Sequence, residues 1–280
     1  MVDKKIGKTE KEFEIKDVTT CEATQQMLLK ARLDGVETHF DRAVNMKACP
    51  IGADSACCKN CFMGPCRMNP KDPYAKVGVC GAGIDTIQAR NFGRMVATGT
   101  ACHNDHGMTM LDIFRDVVQG KIKDYRIKDV GKLESVAQSI GIETEGRSVE
   151  DIAMELYHEL EKTYTQVEGE IPFAKRVPPK TLEMWRKHGI VPRGAMREIM
   201  EMMSRTHIGM DQDYTTLIKQ ISRTALVDGW GGSMVATEIS DILFGTPSPV
   251  SVEVNMGVLK EVKVNIIVHG HEPNLFDSML

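Results

Sequence analysis

The residues with the most chemistry to offer are eight cysteines: Cys21, Cys49, Cys57, Cys58, Cys61, Cys66, Cys80 and Cys102. Six fall between positions 49 and 80, and none follows Cys102 in a chain of 280 residues. Secreted disulfide frameworks spread their cysteines through a small fold, whereas one dense cluster points to metal. Cys58-x2-Cys61-x4-Cys66-x13-Cys80 would bring four thiolates together, which suits a tetrahedral S4 site or a 4Fe–4S cluster. Four gathered thiolates repel one another without a cation, so metal binding and folding of this segment are expected to be coupled. A structural zinc knuckle is the plainer reading of the spacing. Cys49 and Cys57 count against it, because a four-coordinate zinc leaves both over. Neighbouring side chains in extended backbone point opposite ways. Of Cys57 and Cys58, one should serve the cluster and the other face away. Two outward cysteines make half of a second four-sulfur site that a symmetric partner completes, which predicts a homodimer with a cluster on its two-fold axis. The bland alternative is a pair of unligated or oxidised thiols.

The elements that must position these residues read as helices for most of the chain. The first 20 residues form a charged tail without the apolar stretch of a secretory signal. A helix is expected over 24–33, with Met27, Leu28 and Ala31 on one stripe. The cysteine segment, 47–80, carries Pro50, Pro65, Pro70 and Pro73 with several glycines, so it must be a loop held by something else. Helical periodicity resumes over 84–97 (Ile84, Ile87, Met95 and Val96 inward) and again over 105–118 (Met110, Phe114, Val117 and Val118). Ser148 with Asp151 three residues on predicts a capped helix through Lys162. Further helices are expected over 195–204, where the Met196–Met203 run reads as core packing, over 214–225 and over 233–243. Asp228-Gly229-Trp230-Gly231-Gly232 reads as a tight helix junction packed against the metal clusters, whose glycines permit close approach.

The pattern changes after Gly245. Residues 262–268 (VKVNIIV) resemble a buried parallel strand. It ends in His269-Gly270-His271-Glu272-Pro273, at the carboxyl end of a strand, where ligands collect in open α/β sheets. The fold class is therefore α plus α/β. A helical domain with a metal loop over 21–245 is followed over 246–280 by the start of a Rossmann-like domain that reads as cut short, since one strand cannot stand alone.

Composition sets outer limits. Apolar residues make up 42% and charged residues 26%, and the formal net charge is −4. That is an ordinary globular composition with no excess of basic charge to grip nucleic acid. No run approaches the roughly 18 apolar residues of a membrane span.

Together the motifs resemble the anaerobic nickel–iron carbon monoxide dehydrogenases. The resemblance is carried by Cys49-x7-Cys57-Cys58-x2-Cys61-x4-Cys66, Gly78-Val79-Cys80-Gly81 and Thr100-Ala101-Cys102-His103-Asn104-Asp105-His106. It continues through Thr224-Ala225-Leu226-Val227-Asp228-Gly229-Trp230-Gly231-Gly232, Phe244-Gly245-Thr246-Pro247 and the His269–Pro273 turn. It implies a homodimer whose subunits have a helical domain followed by two Rossmann-like domains. Cys58, Cys61, Cys66 and Cys80 would bind the 4Fe–4S relay cluster within the subunit. Cys49 and Cys57, with the same pair from the partner chain, would hold a second 4Fe–4S cluster at the dimer axis. The family's active site is a nickel–iron–sulfur cluster that oxidises CO with water to CO2, two electrons and two protons. His271 matches the histidine that ligates its outer iron, with His269 as the alternative. The remaining ligands of the family are cysteines beyond Leu280, so the chain alone is expected neither to assemble the nickel site nor to turn over CO.

By the same resemblance His103 assists proton transfer, and His106 falls on nearly the same helix face to pass the proton on. Thr109 and Asp112 stand where some relatives continue the row of histidines. Without the resemblance, two histidines near a helix start read as surface or capping residues. Cys102 is expected to be a small, buried, inert side chain, and Cys21 a non-ligand. A ferredoxin-like acceptor and an anaerobic cytoplasm are implied, with acetyl-CoA synthase a further candidate partner. Three rival readings stand beside this one: a non-catalytic Fe–S electron-transfer module, a relative of the hybrid cluster proteins, and the zinc protein.

Overall fold

The computed structural model describes residues 12–46, 49–69, 71–72, 74, 76–249 and 264. The chain separates into two compact units, Met1–Ala56 and Cys57–Leu280. The described part of the first unit holds α1 (Ile15–Val18), α2 (Glu22–Leu33), α3 (His39–Asn45) and α4 (Pro50–Ala53). A reciprocal capping box opens α3: the Thr38 backbone N–H donates to the Asp41 carboxylate at 2.7 Å, and the Thr38 side chain accepts from the Asp41 backbone. Pro50 opens α4, where its missing N–H would have had no helical partner. Of the expected α2 stripe only Leu28 is buried, and Met27 faces outward.

The second unit begins with two short strands, β1 (Cys57–Cys58) and β2 (Cys66–Arg67), paired antiparallel with Cys58 opposite Cys66. The helices α5 (Ile84–Val118), α6 (Val130–Ser139), α7 (Val149–Thr165) and α8 (Pro179–His188) follow, with a 3-10 turn at Pro172–Arg176 before α8. Then come α9 (Ala195–Arg205), α10 (Tyr214–Val227), a π-helical turn at Asp228–Ser233 and α11 (Met234–Phe244). Ser148 caps α7 by accepting from the Asp151 N–H at 3.1 Å, as its sequence signal predicts.

Where the sequence suggests two helices, over 84–97 and 105–118, the chain forms the single 35-residue α5. The apolar periodicity lapses between them because the inward face turns polar, not because the helix ends. Thr100 and Asn104 are buried there. The Thr100 hydroxyl donates to the Thr224 carbonyl at 3.1 Å, and Asn104 Nδ2 donates to the Thr100 carbonyl at 2.8 Å.

The main core joins Phe114 of α5, Leu133 of α6, Leu156 and Leu160 of α7, Phe173 of the 3-10 turn and Ile239 of α11. A smaller cluster packs Ala97, Met202 and Ile221 between α5, α9 and α10. The Met196–Met203 run corrects the sequence reading, since Met196, Met200 and Met203 are exposed and Met202 alone is fully buried. The inward row of α9 is Ala195, Glu198 and Met202, continued past the helix end by Thr206. It includes a carboxylate with no exposure at all. Glu198 is neutralised where it sits, by Arg193 Nε at 2.9 Å and Arg223 Nε at 3.2 Å, and Gln220 Nε2 donates to it at 2.9 Å.

Among the described residues no helix is long and apolar enough to cross a membrane. The expected strand over 262–268, the turn bearing His269 and His271, and the Rossmann-like segment they open lie outside the described residues, apart from 246–249 and Val264.

Candidate metal centre

Cys58, Cys61, Cys66 and Cys80 line one small cavity, together with Asn60, Arg90 and wall residues from the loop after α9. The short hairpin does the gathering. Its register sets Cys58 and Cys66 opposite one another, and directly opposed residues put their side chains on the same face. The return between the strands passes through Gly64, where a Cβ would lie 3.1 Å from both the Cys58 carbonyl and the Cys66 nitrogen. A glycine therefore lets the hairpin close this tightly. Cys66 Sγ accepts from the Val79 N–H at 3.4 Å, and the turn continues to Cys80 through a Gly78 N–H to Ala82 carbonyl bond of 2.8 Å.

Cys57 does not line the cavity, which accords with the alternation expected of Cys57 and Cys58. Its carbonyl accepts from Asn91 Nδ2 at 3.1 Å, tying β1 to α5. Cys49 is exposed and immediately precedes α4 in the first unit. Cys102, expected to be buried, is exposed on the outer face of α5. None of the eight cysteines is in a disulfide.

The cavity is electropositive in its fixed groups. Arg90 is 1% exposed, and its Nη1 donates to Cys80 Sγ at 3.6 Å. Burial would raise the Cys80 thiol, but backbone N–H groups of Ala82 and Gly209 and the Arg90 guanidinium hold it down at about 7. Two further donors, Asn60 Nδ2 and Arg90 Nε, are buried without any acceptor. Buried donors nearly always find partners. Orphaned donors beside four thiols fit a sulfur-rich anionic group, whose sulfides would accept from them. Among the described residues no three His, Cys, Asp or Glu side chains lie close enough to hold a single metal ion.

A second constellation lies further along α5. His103 Nδ1 and Asp228 Oδ1 are 2.7 Å apart. An ionised carboxylate only accepts, so Nδ1 carries the hydrogen. The close packing of α5 on the π-helical turn sets this distance. A Cβ on Gly232 would fall 2.4 Å from the His103 carbonyl oxygen, and one on Gly107 would fall 2.7 Å from the Gly232 carbonyl oxygen. The junction expected around Asp228–Gly232 is thus a close approach, made against the backbone of His103 and Asn104. His106 is half-buried one turn further along α5.

Sequence reasoning did not single out Asp228, Arg90 or Asn60 as site residues. Asp228 was visible only as the first letter of a glycine-rich junction. The other two carry no motif of their own.

A family model described as the Prismane/CO dehydrogenase family matches residues 56–280. The chain belongs to that family. Carbon monoxide dehydrogenase 1 of Methanosarcina acetivorans is 48% identical over 259 residues, which are 92% of this chain and 41% of that protein. The beta subunit of carbon monoxide dehydrogenase/acetyl-CoA synthase from Moorella thermoacetica is 40% identical over 269 residues, 95% of this chain and 40% of that one. The fold is similar to that of a nickel-free carbon monoxide dehydrogenase from Thermococcus sp. AM4, with a TM-score of 0.83 at 42% identity, covering 90% of this chain and 40% of the other. The chain therefore spans about two fifths of the length of the curated relatives it matches. The described residues of this chain are mostly helical with a small two-stranded sheet.

Proposed function

We propose that this chain forms the electron-relay and proton-handling part of an anaerobic nickel–iron carbon monoxide dehydrogenase. The observation that carries the reading is the single cavity shared by Cys58, Cys61, Cys66 and Cys80, walled by buried donors that lack acceptors. Four thiols with two unpartnered donors beside them, and Cys49 and Cys57 left over, favour an iron–sulfur cluster over one zinc. In the complete enzyme the nickel–iron–sulfur centre supplies the oxidation of CO with water to CO2, two electrons and two protons.

The residues of this chain divide that work. Cys58, Cys61, Cys66 and Cys80 would hold the 4Fe–4S relay cluster in the cavity that they line with Arg90 of α5. Cys57, turned away from the cavity, joins Cys49 and the same pair from a second copy in holding the cluster on a homodimer axis. His103 takes up a proton at Nε2 while Asp228 fixes the ring through Nδ1 and stabilises the imidazolium that results. His106 receives the proton further along the same helix. His271, or His269 in its place, ligates the outer iron of the active centre. Residues 246–280 open the Rossmann-like domain. Electrons leave to a ferredoxin-like acceptor in the cytoplasm, and an acetyl-CoA synthase is a further partner of the same class as that named for the Moorella relative.

The test is iron, sulfide and zinc content of the anaerobically purified chain, with its mass in solution. About six irons per chain, four for the internal cluster and half of a shared four, with a dimeric mass support the reading. One zinc per colourless monomer refutes it.

A further inference from the structure

Arg90 is a buried cation without a carboxylate to balance it. Its guanidinium is 1% exposed, yet among the described residues its partners are Cys80 Sγ at 3.6 Å and the Asp211 backbone carbonyl at 2.5 Å, with Nε left over. The Asp211 carboxylate is engaged elsewhere, by Arg205 Nη1 at 2.9 Å and the Thr216 hydroxyl at 2.6 Å. Burying an unpaired charge costs several kcal/mol in real proteins, so a guanidinium held like this needs an anion within reach. The only sulfur it touches belongs to the cysteine cavity that it lines. Asn60, whose Nδ2 is the other orphaned donor, lines the same cavity from the connection between β1 and β2.

We propose that Arg90 and Asn60 are the positioning residues that set the reduction potential of the cluster held by Cys58, Cys61, Cys66 and Cys80. The proposal rests on the relay-cluster reading above. Four thiolates around a 4Fe–4S core give a net negative group, and reduction by one electron makes it more negative still. A fixed positive charge and donors aimed at the sulfurs stabilise the reduced form more than the oxidised form, and so raise the potential. Arg90 supplies charge and hydrogen bonding, whereas Asn60 supplies hydrogen bonding alone. Its effect should be the smaller. The loop after α9 holds the guanidinium in place through the Asp211 carbonyl, so the charge cannot swing out to solvent.

The experiment is an anaerobic, dye-mediated redox titration of the iron-loaded full chain, followed by the EPR signal of the reduced cluster, for wild type, Arg90→Gln, Arg90→Lys and Asn60→Ala. Arg90→Gln is expected to shift the midpoint to more negative potential. Arg90→Lys should shift it less, because charge is retained, and Asn60→Ala should give a small shift in the same direction. Unchanged midpoints in variants with full iron content overturn the proposal while leaving the cluster reading intact. Absence of iron and of the EPR signal from wild type removes both. If the Arg90 variants fail to hold iron, wild type labelled with 15N-arginine decides. Hyperfine coupling of a guanidinium nitrogen to the reduced cluster upholds the proposal, and its absence overturns it.

Discussion

Gly232→Ala sets two magnitudes of opposite sign against each other. In a helical segment Gly→Ala ordinarily stabilises, by about 0.5–1 kcal/mol, through the entropy of the unfolded chain. Here the added Cβ would stand 2.4 Å from the His103 carbonyl oxygen, 2.5 Å from its carbon and 2.6 Å from the Asn104 Cα. All three are backbone atoms of α5, so no side chain can rotate aside. To restore contact the π-helical turn must retreat by about 0.6–1 Å, and overpacking of this kind costs typically about 1–3 kcal/mol. With backbone as the obstacle the upper end applies, and the net loss should be about 2 kcal/mol. That corresponds to a fall in melting temperature of about 4–8 °C for a unit of this size. The same retreat carries Asp228 away from His103 and stretches their 2.7 Å bond beyond good hydrogen-bond geometry. Gly99→Ala is the internal control. Gly99 lies on the exposed side of α5 with nothing within 4 Å of its would-be Cβ, so that variant should melt at or slightly above wild type. The assay is thermal unfolding by circular dichroism under anaerobic conditions, with 15N chemical shifts reporting the His103 tautomer. A Gly232→Ala protein that melts at or above wild type would refute the packing argument, whatever its His103 does.

Four further outcomes are expected. Glu198→Ala takes the fully buried carboxylate from Arg193 and Arg223, which keep Glu201, and leaves their Nε donors unpaired, so it should cost about 2–3 kcal/mol, read by denaturant unfolding; a loss under about 1 kcal/mol would contradict the burial seen here. Burial pushes the Glu198 and Glu238 carboxyls up, but Arg193 for the first and Lys132 with Arg176 for the second hold them below the ordinary carboxylate value. Their stabilisation is therefore complete above about pH 4.3 and is lost as pH falls through the lower folded values, so acid unfolding should begin below that point and Glu198→Gln should flatten the profile there. Asp228→Asn removes a half-exposed partner and should change stability by less than about 1 kcal/mol, while the fixed Nδ1–H tautomer of His103 gives way to a mixture visible in its 15N shifts. Stripping metal from the loaded protein should expose residues 57–80 to protease while the α5–α11 core keeps its resistance; equal resistance before and after would sever the link between metal and the folding of that loop.

How much of this was legible in the sequence depended on where the determining physics lay. The thiols carry their chemistry in spacing, and alternation alone separated Cys57 from Cys58 before any cavity was seen. The cap at Ser148 was local and therefore readable. The inward face of α9 was not, because apolar periodicity pointed to the methionines. Glu198 is admitted to the interior only by Arg193, five residues upstream, and by Arg223 on another helix. Cys102 was misread because its exposure is decided by what packs on α5, which nothing in its neighbourhood reports. Asp228 and Arg90 share this origin. Each acts across more than a hundred residues, Asp228 on His103 and Arg90 on the Asp211 carbonyl, and no window of sequence contains both ends.

The single helix α5 changes what these separate sites amount to. Arg90, at the cavity of four thiols, and His103, bonded to Asp228, lie on the same unbroken helix, thirteen residues apart, which is about 20 Å of rise. Two helices joined by a turn would let the cavity and the histidine shift relative to each other whenever the turn flexed. One helix does not, and the residues between are held from the side. Gly93 packs so closely on Met202 that a Cβ there would come within 2.6 Å of its sulfur, and Thr100 and Asn104 bond into α10 and its end. Arg90 and His103 on one such spacer keep a fixed separation. Polar residues at positions 100 and 104 make the sequence look interrupted there. They also fasten the helix to α10 on either side of His103, so the feature that hid the continuity of α5 is part of what keeps it rigid.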